Sequence, residues 1–332
     1  MQSIKNTLSV LATGYIFVYF SEHLFWARAR PDDSLAGWFG AWIAYSLIAF
    51  VFLSAMAHFR VRNLWALFLA GALVGWLAEG VIVQTTYEML PLSISFTGLA
   101  WHALLTVWVG WYALLHALRE RSGLAALGLA AAIGLAAGLW AISWWNEPGE
   151  GIAPLASYAS FMVATTVLLI VACWLALWSA SAPFRPGRWP MRIIFGLFAA
   201  YFCLVAVPAA PPALVILPVL LGLCYLGLRR HQRHQGGLPL LAGPGPAIPL
   251  LRFAALLAIP ATSVAVYALA LWLQLRWPTN WLLYAITTPL GFVLFGVSLY
   301  RTSRAGPDLP GARAKETPEA ALPTPTFPSE MS

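Results

Sequence analysis

Glu79 lies in an apolar run, 64–83, that contains no other charged residue. An ionisable side chain within a bilayer costs about 3 kcal/mol even on lenient insertion scales, so it is a functional candidate by default. Gly71, Gly75 and Glu79 recur every four residues and share one helix face. The Gly71/Gly75 pair lets a neighbouring backbone approach closely. Glu79 is therefore aimed at another helix or a cavity, as a protonated donor between helices or as a working carboxylate. In the run 98–118, Gly98, His102, Thr106 and Gly110 repeat the four-residue spacing. The first run adds Tyr15, Tyr19, Glu22 and His23 at its end, and Glu88 falls in the stretch 84–97. That stretch is too polar to face lipid and is expected to line water or protein as a re-entrant cap.

Alternation of the spans carries Glu22, His23, Glu79, Glu88 and His102 to one membrane face. Carboxylates and imidazoles around a partly apolar pocket suit general acid and base catalysis, because burial shifts a carboxyl group toward its protonated form and a nearby imidazole can take or return the proton. Tyr19, Tyr87, Trp101, Asn146 and Arg276 are the expected substrate contacts, Arg276 either for an anionic group or paired with Glu88 or Glu147. Two histidines and two carboxylates would also be acceptable ligands for zinc or iron. No HExxH-type spacing fixes two of them on one helix turn, so no metal is assigned, and no motif names a cofactor.

The elements that position these residues follow from composition. Of the chain, 61% is hydrophobic and 9% charged, against roughly a quarter charged in soluble domains. A bilayer core needs about 20 apolar residues per helix. Ten runs qualify: 4–25, 37–57, 64–83, 98–118, 124–145, 156–180, 191–207, 213–228, 250–273 and 280–300. The expected fold is an all-α, polytopic bundle over 1–304, with the chemistry in 1–155 and a disordered cytoplasmic tail over 305–332. The seventh and eighth runs are short and separated only by 208–212, so a single proline-kinked span is the alternative. Cys173, Cys203 and Cys224 offer no metal-ligand spacing.

With ten spans and the N-terminus inside, the cytoplasmic side receives all but Arg28, Arg30 and Arg276 of the 19 Lys and Arg residues. The net charge of +7 is then an orientation signal rather than a nucleic-acid footprint. The partner it implies is the lipid bilayer, in a multi-pass protein of a bacterial inner membrane with both termini cytoplasmic. The first run is too long, and ends in residues too bulky, for a cleaved signal. The loop 229–249, with its Arg-Arg-His-Gln-Arg-His cluster, reads as a basic linker near anionic lipid, its histidines interfacial like His58 and His116. The 17 tryptophans read mainly as a belt at helix ends, with Trp101, Trp144 and Trp145 the nearest to His102.

The run Glu79, Thr85, Pro91, Trp101 resembles a stretch of the polytopic carotenoid-modifying hydratases, which carry an intramembrane Glu followed by a Thr and a polar, proline-containing turn. Their glycine-rich turn is missing here, and no residue role is carried over. Three functions fit the residues: an enzyme using acid/base chemistry on a lipid, isoprenoid or lipid-linked substrate; a proton-coupled transporter of a small solute; and a non-catalytic assembly or sensor subunit.

Overall fold

The computed structural model describes residues 2–30, 32–149, 151–234, 240–241 and 248–304. The expected tail 305–332 lies outside the described residues, as do 235–239 and 242–247 of the expected linker. The described chain is helical, without strands. Ten helices are long and apolar enough to cross a membrane: α1 Gln2–Trp26, α2 Leu35–His58, α3 Leu64–Ile82, α4 Leu92–Glu120, α5 Gly123–Asn146, α6 Leu155–Ser179, α7 Arg188–Ala209, α8 Ala213–Arg233, α9 Leu250–Trp272 and α10 Thr279–Ser303. The seventh and eighth runs are separate helices.

Helix starts are written in the sequence. Ser34, Asn63 and Ser122 each accept a hydrogen bond from the backbone N–H three residues on, at 3.0, 2.9 and 3.2 Å. Such caps contribute about 1 kcal/mol each. α3 ends at Gln84, which adopts left-handed backbone angles (φ 61°). Its side-chain amide donates to the carbonyls of Val81 (2.6 Å) and Ile82 (2.8 Å), satisfying acceptors that a helix end leaves open. The chain is thereby turned sharply back over α3, and this turn sets Thr85 on Glu79.

α3 is the central helix, with 78% of its apolar window buried, packed against α4 and flanked by α2, α8 and α10. α1 packs on α2 and α6, and α5 packs on α9. α7 is the opposite extreme: only 6% of its window is buried. A helix that apolar and that uncovered by its own chain suits a lipid-facing position. Between α7 and the body lies a groove of about 630 Å³ lined by apolar residues of α2, α3, α7 and α8, including Leu77, Val81, Phe195 and Leu217.

The loops sort into two ends. At one, Lys5 Nζ donates to Ser181 Oγ (2.8 Å), Gln232 to the His58 carbonyl (2.7 Å) and Arg119 to the Leu241 carbonyl (2.8 Å). At the other, Arg28 donates to the Gly151 carbonyl (3.0 Å) and Asn146 to the Trp277 carbonyl (3.2 Å). His231 differs from expectation: α8 runs past the apolar residues through Arg233, so its ring is buried in the bundle, accepting from the Arg62 N–H at 3.3 Å. His116 stacks on Tyr112, and His58 is exposed at the groove's end.

Candidate functional site

Three segments that carry the site share an unusual backbone. Tyr19–His23 in α1, Ala78–Ile82 in α3 and Phe96–Ala113 in α4 are wound as π-helix, with hydrogen bonds closing five residues apart. π-winding is rare and often marks functional sites, but it is not confined to this one, since Phe202–Ala206 in α7 is wound the same way. Their wider winding changes which residues share a face. Gly98 meets Gly75 and Trp76 of α3, while Ala103 and Val107 meet Gly71. Gly110 instead faces Phe20 of α1. The expected single face of Gly98, His102, Thr106 and Gly110 is therefore split between α3 and α1, and His102 stands where it reaches both.

His102 Nε2 lies 2.8 Å from Glu79 Oε1. The imidazole side chain is 2% exposed and the Glu79 side chain 14%. The other Glu79 oxygen accepts from the Thr85 hydroxyl. On the far side of the ring, Nδ1 is 2.9 Å from Ser21 Oγ, which is 3.0 Å from Thr106 Oγ1. Thr106 in turn donates to the Trp101 carbonyl at 3.2 Å. Three contacts, Nδ1 to Ser21, Ser21 to Thr106 and Thr106 to the carbonyl, need three hydrogens, and the two hydroxyls supply two. The third must sit on Nδ1, while a Glu79 carboxylate requires a hydrogen on Nε2. Those contacts are filled either by an imidazole with both nitrogens protonated facing a carboxylate or by one that accepts on Nε2 from a protonated Glu79.

Glu22 is the second carboxyl group. Oε1 accepts from the Tyr45 hydroxyl at 2.7 Å and Oε2 from the Trp26 indole at 3.2 Å. It interacts electrostatically with both Glu79 and His102, and the Tyr45 ring lies 6.1 Å from the His102 ring. Glu22 also lines a cavity of about 200 Å³ with His23, Arg28, Arg30, Asp33 and Trp38. In this vestibule Asp33 sits below the usual carboxylate range. Burial alone would raise it, but the Arg30 backbone N–H, the Trp38 indole and the Arg30 guanidinium, 3.1 Å away, outweigh that. A polar mouth thus leads to Glu22, and Tyr45 bridges from Glu22 toward the buried pair.

The remaining expected site residues are placed elsewhere. His23 shares the vestibule wall with Glu22 but packs its ring among Tyr15, Tyr19, Trp38 and Phe161, with centroids 5.2–6.3 Å distant, rather than joining the buried pair. Tyr19 is fully buried with its hydroxyl 2.8 Å from Thr166 Oγ1. Trp101 is a wall residue: its indole donates to the Phe20 carbonyl (3.0 Å) and it packs on Phe25 and Trp140. With Trp140 and Trp144 it belongs to an internal aromatic cluster rather than a belt. Tyr87 donates to the Gly80 carbonyl at 2.9 Å, and burial pushes its phenol up to about 12. Glu88 is exposed, since the turn that holds Thr85 inward leaves it outward, and Asn146, at the end of α5, and Arg276, on the loop after α9, are exposed too. The expected cap is reduced to Gln84–Pro91, because α4 already begins at Leu92. Ser21 and Tyr45 complete the site although neither residue type stands out in the sequence.

Among the described residues no three His, Cys, Asp or Glu side chains are grouped to hold a metal ion. Comparison with protein-family models, with curated proteins and with solved structures finds no match. The geometry defines the class alone: a polytopic helical membrane protein with a buried imidazole–carboxylate pair.

Proposed function

We propose that this protein is an integral membrane enzyme that uses the His102–Glu79 pair for general acid and base chemistry on a lipidic substrate. The observation that carries the reading is the 2.8 Å contact between Nε2 and Oε1, continued on the other side of the ring by a hydrogen-bonded chain through Ser21 and Thr106. A carboxylate that orients an imidazole and offsets its charge lets the ring give and recover a proton without solvent. Glu22 and Tyr45 supply the connection to the vestibule, and Ser21 positions the ring. The apolar groove under α7 supports a substrate with an acyl or isoprenoid chain, since it runs along the back of the α3 segment that bears Glu79.

The same reading places both termini in the cytoplasm of a bacterium, with the vestibule on the outer face, because one end of the bundle collects the cationic loops. Single cysteines at Ser34 and Pro148 are expected to react with a membrane-impermeant maleimide on intact cells, and one at Arg185 only after permeabilisation. The reverse labelling pattern would invert the orientation.

Turnover is the direct test. Proteoliposomes given a bacterial total lipid extract and followed by mass spectrometry are expected to consume one lipid class. Glu79→Gln, inserted at wild-type levels, should slow that conversion by roughly 10²–10⁴-fold. A second reading, proton-coupled transport, draws on the route from the vestibule through Glu22 and Tyr45 to Glu79. Solute-driven acidification of a lumenal pH dye, abolished in Glu79→Gln with no lipid converted, would replace the enzyme reading with it.

A further inference from the structure

A separate cavity of about 330 Å³ lies at the vestibule end of the bundle between α1, α4, α5 and α10. Its size is at the lower end of the range for small-molecule pockets. Six aromatic rings line it, those of Phe25, Phe96, Trp140, Trp144, Trp281 and Tyr284, and its only charged wall residue is Glu147. Two of the rings are fixed before any ligand arrives, because the Trp140 and Trp144 indoles both donate to the Phe25 carbonyl, at 2.5 and 2.8 Å. Trp144 is further clamped by stacking on Trp26 at 4.9 Å.

Glu147 is also held in place. Its Oε1 accepts from Asn280 Nδ2 at 2.9 Å, and among the described residues it has no cationic partner. Arg276, for which Glu147 is one of the partners the sequence offers, is exposed and does not line the cavity. The occupant must satisfy both features. A neutral apolar guest would strip water from the carboxylate and return nothing. A small hydrated cation would gain little from dry ring faces. A cation with an apolar shell uses both, since ring faces attract positive charge and recognise quaternary ammonium groups in particular.

We propose that this cavity is a binding site for an organic cation of the quaternary ammonium class, either a soluble compound or the headgroup of a lipid. Neither His102 nor Glu79 lines this cavity, so the site is distinct from the acid/base pair and does not rest on the proposed chemistry.

The test uses the full-length protein in maltoside micelles and benzyltrimethylammonium as the probe, with binding read by isothermal titration calorimetry. Saturable one-site binding is expected. Glu147→Gln and Trp281→Ala should each weaken it at least tenfold, and the uncharged isostere neopentylbenzene should bind at least tenfold more weakly than the cation. Glu79→Gln should leave it unchanged. Competition by soluble dibutyroylphosphatidylcholine would assign the site to a lipid headgroup, and its absence to a soluble cation. No saturable binding, binding that survives Glu147→Gln intact, or equal affinity for the isostere would overturn the proposal.

Discussion

His102→Ala is expected to be among the most destabilising single substitutions in this protein. It removes the donor facing Glu79 Oε1 and the acceptor or donor facing Ser21, deep in the α1–α3–α4 contact. Leaving Glu79 without its buried partner costs about 1–3 kcal/mol as an unsatisfied polar group, and about 3–5 kcal/mol where it keeps a charge that nothing compensates. Replacing both members is different in kind. In Glu79→Gln/His102→Ala no buried charge remains, and the double variant should recover part of the loss despite carrying more changes. Unfolding in mixed micelles of a mild detergent and dodecyl sulfate, measured for wild type, both single variants and the double, gives the coupling directly. A His102→Ala effect within about 0.5 kcal/mol of wild type would match an ordinary surface position and would mean that no buried charge pair exists there.

Both members of that pair are legible in the sequence, and the reason is energetic. A bilayer forces each crossing into about 20 apolar residues, so the ten helices show in the sequence close to their observed bounds, including α7 and α8 on either side of the 210–212 break. The same solvent makes Glu79 and His102 conspicuous, since a titratable group there has to be explained. Where water is available the signal vanishes. Glu88 is equivalent to Glu79 by residue type, but a charge on an exposed turn costs nothing and implies nothing.

Ser21 and Tyr45 are hidden for the opposite reason: hydroxyl groups are cheap within helices, so their presence carries no weight until a partner is seen. His23 stands in the vestibule wall and not beside the buried pair. Adjacent helix residues do not face each other, so a turn that points Glu22 at Tyr45 sends His23 into the Tyr15, Tyr19, Trp38 and Phe161 rings. The π-winding of α4 is also invisible in the sequence, because no residue type demands it. With that winding, the fit among three helices turns an apparent four-residue face into contacts shared between α3 and α1.

Gly75→Ala tests whether that fit is what holds the site together. A Cβ at Gly75 would collide with the Gly98 carbonyl and stand 2.7 Å from Gly98 Cα. Both obstacles are backbone, so no rotamer change relieves the clash and α3 must move away from α4. Overpacking of a tight core costs typically about 1–3 kcal/mol. The displacement also acts on function, because Glu79 lies four residues beyond Gly75 and His102 four beyond Gly98. A shift that separates the glycines separates the pair, and the 2.8 Å contact has no slack to absorb it. Gly75→Ala should therefore lower both the unfolding midpoint and turnover. Gly128→Ala supplies the contrast. Nothing lies within 4 Å of its Cβ position, and alanine is the better helix former by about 1 kcal/mol, so that variant should be neutral or slightly more stable. Equal behaviour of the two alanines would mean that α3 and α4 do not meet at Gly75 and Gly98. With turnover intact as well, it would separate the chemistry from this crossing.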